Sequence, residues 1–357
     1  MKVMVAMSGG VDSSVAAALL ERDGHDLVGV TMRLWGGESD TGCCSVADVD
    51  DARRAADQLG IDHHVFNFTE DFERRVVDPY VADHARGVTP NPCVECNRWI
   101  KFDRLRERAA LLGFDAVATG HHARVEARDG RWALRRGADR GKDQSYVVHM
   151  VGQAELATTL FPVGDFEHKA AVRAMASRLG LRTAAKPDSQ DVCFITSTGG
   201  RAAFLRRRID VHPAAVVDPT GRAVGVVDAV ELVTVGQRRG LGLPGGGPKH
   251  YVVDVDRTAR TVTLGDEVAL RRHELLVDRV VWVDQPVVGD VLVQCSAHGA
   301  PAPAQLSIEG DAVLVQWVDP QRHVAPGQSV VFYDLTDQYV LGGGIAAFNR
   351  AGAAGPR

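Results

Sequence analysis

Lys2-Val3-Met4-Val5-Ala6-Met7-Ser8-Gly9-Gly10-Val11-Asp12-Ser13-Ser14-Val15-Ala16-Ala17-Ala18-Leu19-Leu20 decides the fold of the first half of this chain. The apolar run at 2–7 predicts a buried strand. The spacing of Val15, Ala16, Leu19 and Leu20 predicts a helix over about 13–23. Between them, Ser8-Gly9-Gly10-Val11-Asp12-Ser13 has the makings of a phosphate cradle. Two glycines let the backbone turn sharply and bring its N–H groups close to an anion. Ser8, Ser13 and Ser14 add hydroxyl donors, and the helix start adds partial positive charge. No Lys follows the glycines, so this is not the Gly-x4-Gly-Lys-Ser/Thr loop. Nor does it fit Gly-x-Gly-x-x-Gly, which removes a dinucleotide reading.

Working outward, the pattern repeats. Strands are expected at 27–33, 64–68 and 116–119, with helices at 46–59 and 102–112. Strand and helix alternating at this spacing imply βαβ units, hence a parallel sheet with helices on both faces. Beyond about residue 205 the period changes. Short alternating runs at 224–227, 251–255, 261–264, 276–283, 291–295, 305–308, 312–318 and 328–333 are separated by turn signals such as Pro219-Thr220-Gly221 and Glu309-Gly310-Asp311. These predict small antiparallel β-barrels. The expected division is an α/β unit at 1–205, a small β-rich unit at 206–272 and a C-terminal β-barrel at 273–357.

Composition narrows the class. The 357 residues carry 41 Lys and Arg against 46 Asp and Glu, with 45% hydrophobic and 24% charged residues, which excludes a disordered or collagen-like chain. No run approaches the ~18 apolar residues of a membrane span, and the first apolar run lacks a signal peptide's length and cleavage site. A cytoplasmic protein is expected. Charge is uneven: 36–83 holds 12 acidic and 4 basic residues (net −8), whereas 98–142 holds 12 basic and 6 acidic (net +6). A basic region beside a reaction centre points to a polyanionic substrate.

The 6 cysteines are too few and scattered for a disulfide scaffold. Cys43 and Cys44 lie in a Gly-rich loop, and Cys295 reads as a small buried residue. Cys93 and Cys96 follow Pro90-Asn91-Pro92, and Cys193 follows Lys186-Pro187-Asp188-Ser189-Gln190-Asp191-Val192. Asn97 is a candidate cap for a following helix, and Arg98 and Lys101 beside Cys96 would make it nucleophilic. Taken alone, a Cys-x-x-Cys pair is equally compatible with zinc, an iron–sulfur cluster or redox chemistry. A structural zinc site needs a second ligand pair at suitable spacing, which is missing.

The cradle resembles that of the PP-loop ATP pyrophosphatases, which split ATP into AMP and pyrophosphate. With Asn91-Pro92-x-x-x-Cys96-Asn97, Gly120-His121-His122-Ala123-Arg124, Lys142-Asp143-Gln144-Ser145-Tyr146, Lys186-Pro187-Asp188-Ser189, Cys193-Phe194-Ile195 and Pro326-Gly327-Gln328-Ser329, the chain resembles the bacterial tRNA-specific 2-thiouridylases over nearly its whole length. The resemblance implies ATP, accompanied by Mg²⁺, bound by Ala6, Met7, Ser8, Gly9, Gly10, Val11, Asp12, Ser13, Met32 and Gly120. It implies Cys96 and Cys193 as the catalytic pair, cycling through a disulfide, with sulfur from a persulfide-donating protein. It also implies tRNA contacts from Asn91, Pro92, Cys93, His121, Lys142, Asp143, Gln144 and Gln328. A monomer is expected. The chain departs from the family in having Cys93 where an Asp is usual, and Ser296-Ala297 where an Arg–aromatic pair is common. A PP-loop amide or amidine synthetase using ammonia is the alternative, although it leaves Cys96, Cys193 and the basic run idle.

Overall fold

In β1 (Lys2–Ala6) successive side chains point to opposite faces, and both faces are apolar. Val3 and Val5 pack under helix α1 (Val11–Arg22) and helix α2 (Val46–Leu59), whereas Met4 and Ala6 join an aromatic cluster on the other face. The computed structural model describes residues 1–36, 45–188, 192–195, 199–243 and 249–348. Cys43, Cys44, residues 189–191 of the second cysteine motif and residues 244–248 lie outside the described residues.

β2 (Asp26–Arg33), β3 (Asp62–Asn67) and β4 (Ala116–Ala118) are parallel to β1. The order β3-β2-β1-β4-β7, with β7 at Thr159–Leu160, puts the topological switch between β1 and β4. Ligands of such sheets sit at the carboxyl ends of the two strands flanking that switch. α1 starts at Val11 rather than 13, and its residues from Ser13 to Leu20 are buried, because α2 and the helix Lys169–Arg178 cover the side away from the sheet.

A hairpin departs from the expected pattern. β5 (Ala123–Arg128) and β6 (Arg131–Arg136) leave the α/β unit and extend the sheet of the C-terminal barrel, with Leu134 opposite Val340. The middle unit contains β8 (Ala214–Val217), β9 (Ala223–Val227), β10 (Tyr251–Asp256) and β11 (Thr261–Gly265). Its order is β10-β11-β8-β9, and the β8–β11 pair is parallel, where antiparallel pairing was expected. The C-terminal unit comprises β12 (Arg271–Trp282), β13 (Gly289–Gln294), β14 (Ala302–Glu309), β15 (Ala312–Arg322), β16 (Ser329–Tyr333) and β17 (Tyr339–Ala346). The antiparallel order β12-β15-β14-β13-β16-β17 closes through β12–β17 pairing, which removes both edges. Its interior is filled by Leu275, Val291, Val293, Leu306, Val315, Trp317 and Phe332. Among the described residues, no helix is long and apolar enough to cross a membrane.

Candidate active site

The cradle connects β1 to α1 at the switch point. Gly9 has φ +71° and lies so close to the Asp48 carbonyl that a Cβ would fall 2.1 Å from it, so only glycine fits. Gly10 is the N-cap of α1 in extended conformation and provides no side-chain cap. The first N–H groups of this 12-residue helix are therefore available to an anion. The Ser13 hydroxyl shapes the turn, accepting from the Ser8 amide at 3.2 Å and donating to the Gly10 carbonyl at 3.2 Å. Ser14 makes the same carbonyl contact at 2.9 Å. Gly120, after β4, abuts the Ser13 amide. Met7 is held by backbone pairing to Val30, and Met32 is buried at the end of β2.

A ring of charge surrounds the turn. Asp12 accepts from His122 Nε2 at 3.0 Å and pairs with Lys169. Burial pushes the Asp12 carboxyl up, but the hydrogen bonds from His122 and Lys169 outweigh it and leave it below its ordinary value. Lys169 also lies 3.2 Å from Asp188, which pairs with Lys142 at 3.0 Å and Arg173 at 2.9 Å. Burial likewise raises the Asp188 carboxyl, and these lysines more than reverse it. Lys186 pairs with Asp48 and Asp51. Sequence reasoning did not assign His122, Lys169 or Arg173. His122 is adjacent to His121 with no local feature to distinguish the two, and Lys169 has no local signal in the sequence.

The two cysteine motifs meet on the opposite face of the sheet. Cys96 is buried in the aromatic cluster with Met4, Met32, Phe72, Tyr80 and Phe194, and half-buried Cys193 packs against it. Phe194 anchors its motif, with ring centroids 5.1 Å from Phe204, 5.4 Å from Tyr80 and 5.7 Å from Phe72. The first motif folds differently from expectation. The helix there starts at Pro92, not after Asn97, and Asn91 caps it by accepting from the Cys93 amide at 3.1 Å. The helix runs on through Asn97–Arg104 and Leu105–Leu111, so Cys96 lies more than a turn inside it and not at its start. Asn97 is buried and donates to the Val147 carbonyl at 2.9 Å. Cys93 is solvent-exposed, yet enough protein surrounds its thiol that desolvation raises the pKa, against the opposing pull of Lys101.

The residues expected against tRNA fall into two kinds of setting. The segment leading into Asn91, Pro92 and Cys93 is tied to that of Gln328, whose amide donates to the Thr89 carbonyl while Thr89 N–H donates to the Pro326 carbonyl at 2.8 Å. Gln144 accepts from the His122 N–H at 2.8 Å, one hydrogen bond from the cradle. His121 is buried between Phe102 and Phe161, bonds Thr119 at 2.7 Å, and is held well below its ordinary pKa by burial. The Asp143 carboxylate is buried and used internally by Arg136 at 2.7 Å, the Gly137 amide and Ser145. Gln294 donates to the Ser296 and Ala297 carbonyls and accepts from Arg136, so this departure from the family pattern is joined to the same network. The basic run is mostly neutralised: Arg104, Arg106, Arg124, Arg131, Arg135, Arg136, Arg140 and Lys142 all have carboxylate partners. Among the described residues, no cluster of three or more His, Cys, Asp or Glu could hold a metal ion.

An uncapped, glycine-built anion cradle at the switch of a parallel sheet, followed by two β-rich units, defines a nucleotide-binding domain joined to β-barrels. The family described as the tRNA methyl transferase HUP domain matches residues 1–197. The corresponding PRC-barrel family matches 202–266, and the aminomethyltransferase β-barrel family matches 272–346. A relative in Chloroflexus aurantiacus named tRNA-specific 2-thiouridylase MnmA is 47% identical over 355 residues, covering 97% of this chain and 98% of that one. A relative of the same name in Acidothermus cellulolyticus is 46% identical over 366 residues, covering 99% and 100%. This chain belongs to the tRNA-specific 2-thiouridylase family.

Proposed function

We propose that this enzyme converts the wobble uridine of tRNA to 2-thiouridine at the expense of ATP, with Cys193 and Cys96 handling the sulfur. The observation that carries the reading is the convergence of two distant cysteine motifs beneath a sheet whose switch point holds the phosphate cradle. An amide synthetase has no use for the cysteines.

Uracil C2 is a poor electrophile because its oxygen leaves badly. In the proposed first half-reaction that oxygen attacks the α-phosphorus of ATP, pyrophosphate departs, and C2 carries an O–AMP leaving group. Ser8–Ser13 and the N–H groups of α1 would bind the phosphates, with Met32 and Gly120 flanking the nucleoside. Lys169, Arg173 and Lys186 are held by carboxylates and would exchange those partners for phosphate oxygens. The carboxylate set is too small for an all-protein cage, so the residues fit Mg²⁺ as a companion of the triphosphate, with Asp12 as its carboxylate. The metal would supply charge neutralisation there.

In the second half-reaction the terminal sulfur of a Cys193 persulfide attacks C2 and AMP leaves. Cys96 thiolate then attacks the Cys193 sulfur, the S–S bond breaks, and its electron pair stays with the sulfur on C2. This leaves 2-thiouridine and a Cys96–Cys193 disulfide, which a dithiol reductant reopens. Release of hydrosulfide before attack on C2 gives the same products. Asn91, Pro92 and Cys93 would line the flipped uracil. His121, Lys142, Asp143, Gln144 and Gln328 would shape the surface around it. Residues 1–205 would bind ATP, and 206–272 with 273–357 would form the RNA platform. The sulfur donor would be a persulfide-bearing protein, the enzyme a cytoplasmic monomer.

Incubation with ATP, tRNA and a persulfide donor tests the whole scheme, with nucleoside analysis as the readout. 2-Thiouridine with stoichiometric AMP and pyrophosphate is expected. ATP cleavage that responds to ammonia and a small carbonyl substrate, but not to tRNA, would overturn it.

A further inference from the structure

Three members of the basic run, Arg98, Lys101 and Arg108, have no carboxylate partner within ion-pair distance among the described residues. Arg98 is the informative one. It lines a cleft of about 430 Å³ between the α/β unit and the C-terminal barrel, together with Arg75 and Arg279. The Arg98 guanidinium lies 4.3 Å from the Trp99 ring centroid and that of Arg75 lies 5.0 Å away. The indole in turn donates to Glu95 at 2.8 Å, so ring and guanidiniums are held in fixed positions. Arg279 comes from the barrel, at the break in register where β12 pairs with β17. Its φ of +50° is in the left-handed region, unusual for a side chain of this size. Burial lowers the pKa of Arg98; attraction to Glu95 opposes this without reversing it, and like-charge repulsion from Arg279 adds a smaller push in the same direction as burial.

We propose that this cleft binds an RNA phosphodiester, that of a nucleotide adjoining the modified uridine, with Arg98 and Arg279 as its principal ligands. Of the acidic residues lining the cleft, Asp83 is paired with Arg86, and the one remaining carboxylate, Glu95, faces three guanidiniums, which leaves positive charge in excess. Among the described residues, Arg75 has only a long contact of 3.8 Å to Asp103, and Arg279 only one of 3.4 Å to half-exposed Asp278. Guanidiniums are matched to phosphate, being weakly hydrated and able to donate two hydrogen bonds at once. Size favours a nucleotide over a protein partner, since ligand pockets typically measure about 300–1,000 Å³. Position identifies which nucleotide. Pro90 and Pro92 form part of the wall and flank Asn91, so the cleft continues directly from the proposed uracil pocket. Because Arg279 belongs to the barrel, the site is complete only when both units are in place.

This inference rests on the thiolation reading, and the experiment separates the two. Binding of a tRNA transcript to the full-length protein is measured across a salt series for the wild type, Arg98→Gln, Arg279→Gln, the double variant and Arg98→Lys. Each Gln variant should bind more weakly and reduce the slope of log Kd against log salt by roughly one unit or slightly less. Arg98→Lys should restore most of the slope. Circular dichroism and melting of each variant exclude unfolding as the cause. If the wild type binds tRNA and the Gln variants share its affinity and slope, the cleft is not a phosphate site. If those variants instead lose only turnover with a persulfide donor protein, and keep turnover with inorganic sulfide, the cleft is a protein dock and the proposal fails. A wild type that binds no tRNA overturns the thiolation reading and this site with it.

Discussion

The two faces of the parallel sheet solve opposite problems. On the α1 side, the cradle is polar, half-exposed and built from neighbours in sequence: Ser8 to Ser14 contact one another. On the other side, Cys96 sits in a cluster with Phe72, Tyr80, Phe194 and Phe204, and Cys193 packs against that cluster, an arrangement that exists only once the chain has folded. The first face positions charge with charge, through Lys169, Asp12 and His122. The second surrounds sulfur with apolar packing. Phosphoryl transfer needs preorganised donors, whereas sulfur transfer needs a dry and well-placed thiol. The difference predicts that the faces can be disabled separately.

The largest effect should come from Cys193→Ser. Sulfur transfer should fall to undetectable levels by nucleoside analysis, while tRNA-dependent pyrophosphate exchange persists. The cradle would still be intact, and a hydroxyl cannot carry a persulfide. Wild-type 2-thiouridine formation by the Ser variant would remove Cys193 from the role and collapse the distinction between the faces.

Next in size is the link that joins the barrel to the cradle side. Arg136 is 4% exposed, bonds Asp143, Asp337 and Gln294, and lies 3.5 Å from the Tyr333 ring centroid. Arg136→Met leaves the buried Asp143 carboxylate without its partner, a change that costs about 3–5 kcal/mol in comparable buried pairs. Chemical denaturation should show that loss. A change under about 1 kcal/mol would mean that the surrounding donors, Gly137 N–H and Ser145, suffice.

This link also marks where the sequence ceased to be legible. The parallel sheet, α2 at 46–59 and most barrel strands follow from local periodicity, and the cradle from its glycines. β5 and β6 did not, because five arginines within 123–136 read as a charge run, whereas four of them pair with carboxylates distant in sequence or across the hairpin. β17 escaped notice because Gly342-Gly343-Gly344 resembles a loop. In the fold that strand crosses close to the buried His149, and a Cβ on Gly343 would meet the ring at 2.4 Å. Asn97 looked like a cap, but Asn91 caps the helix, since Pro92 can occupy the first turn without needing an N–H partner. The charge ring around Asp12 was invisible because Lys169 is more than 150 residues away in sequence.

Asp12→Ala tests the cradle directly. Loss of one preorganised group at a transferring phosphoryl could raise the barrier by roughly 2.7–4 kcal/mol, the range found for oxyanion-hole donors. Pyrophosphate exchange should slow accordingly while tRNA affinity stays unchanged. The pH dependence has a definite sign. The folded Asp12 carboxyl lies below its unfolded value, so its stabilisation is complete above that unfolded value and disappears as pH falls through the folded one. Asp12→Asn should therefore flatten the loss of stability below about pH 4, the carboxylate reference range. An acid-unfolding curve that matches the wild type would show that the pairing with His122 and Lys169 contributes nothing.

The smallest effect is expected at Cys93, which lies between the two faces in character. It is exposed, as a polar-site residue would be, yet desolvation raises its thiol pKa above the ordinary cysteine value despite Lys101. A thiol so placed stays protonated at neutral pH, so Cys93 can fill space and donate weakly but cannot act as a base, the role open to the Asp usual at this position. Cys93→Ala should retain substantial 2-thiouridine formation, while Cys96→Ala should abolish it. Iodoacetamide supplies a check independent of turnover, because only the thiolate reacts. Followed by peptide mass spectrometry, Cys93 should alkylate more slowly at pH 8 than a model thiol despite its exposure, and accelerate only as pH rises past the usual cysteine range. Faster alkylation than the model thiol would reveal a stabilised thiolate. Cys93 would then be a candidate nucleophile beside Cys96, and the separation between a polar face for phosphate and an apolar face for sulfur would no longer hold.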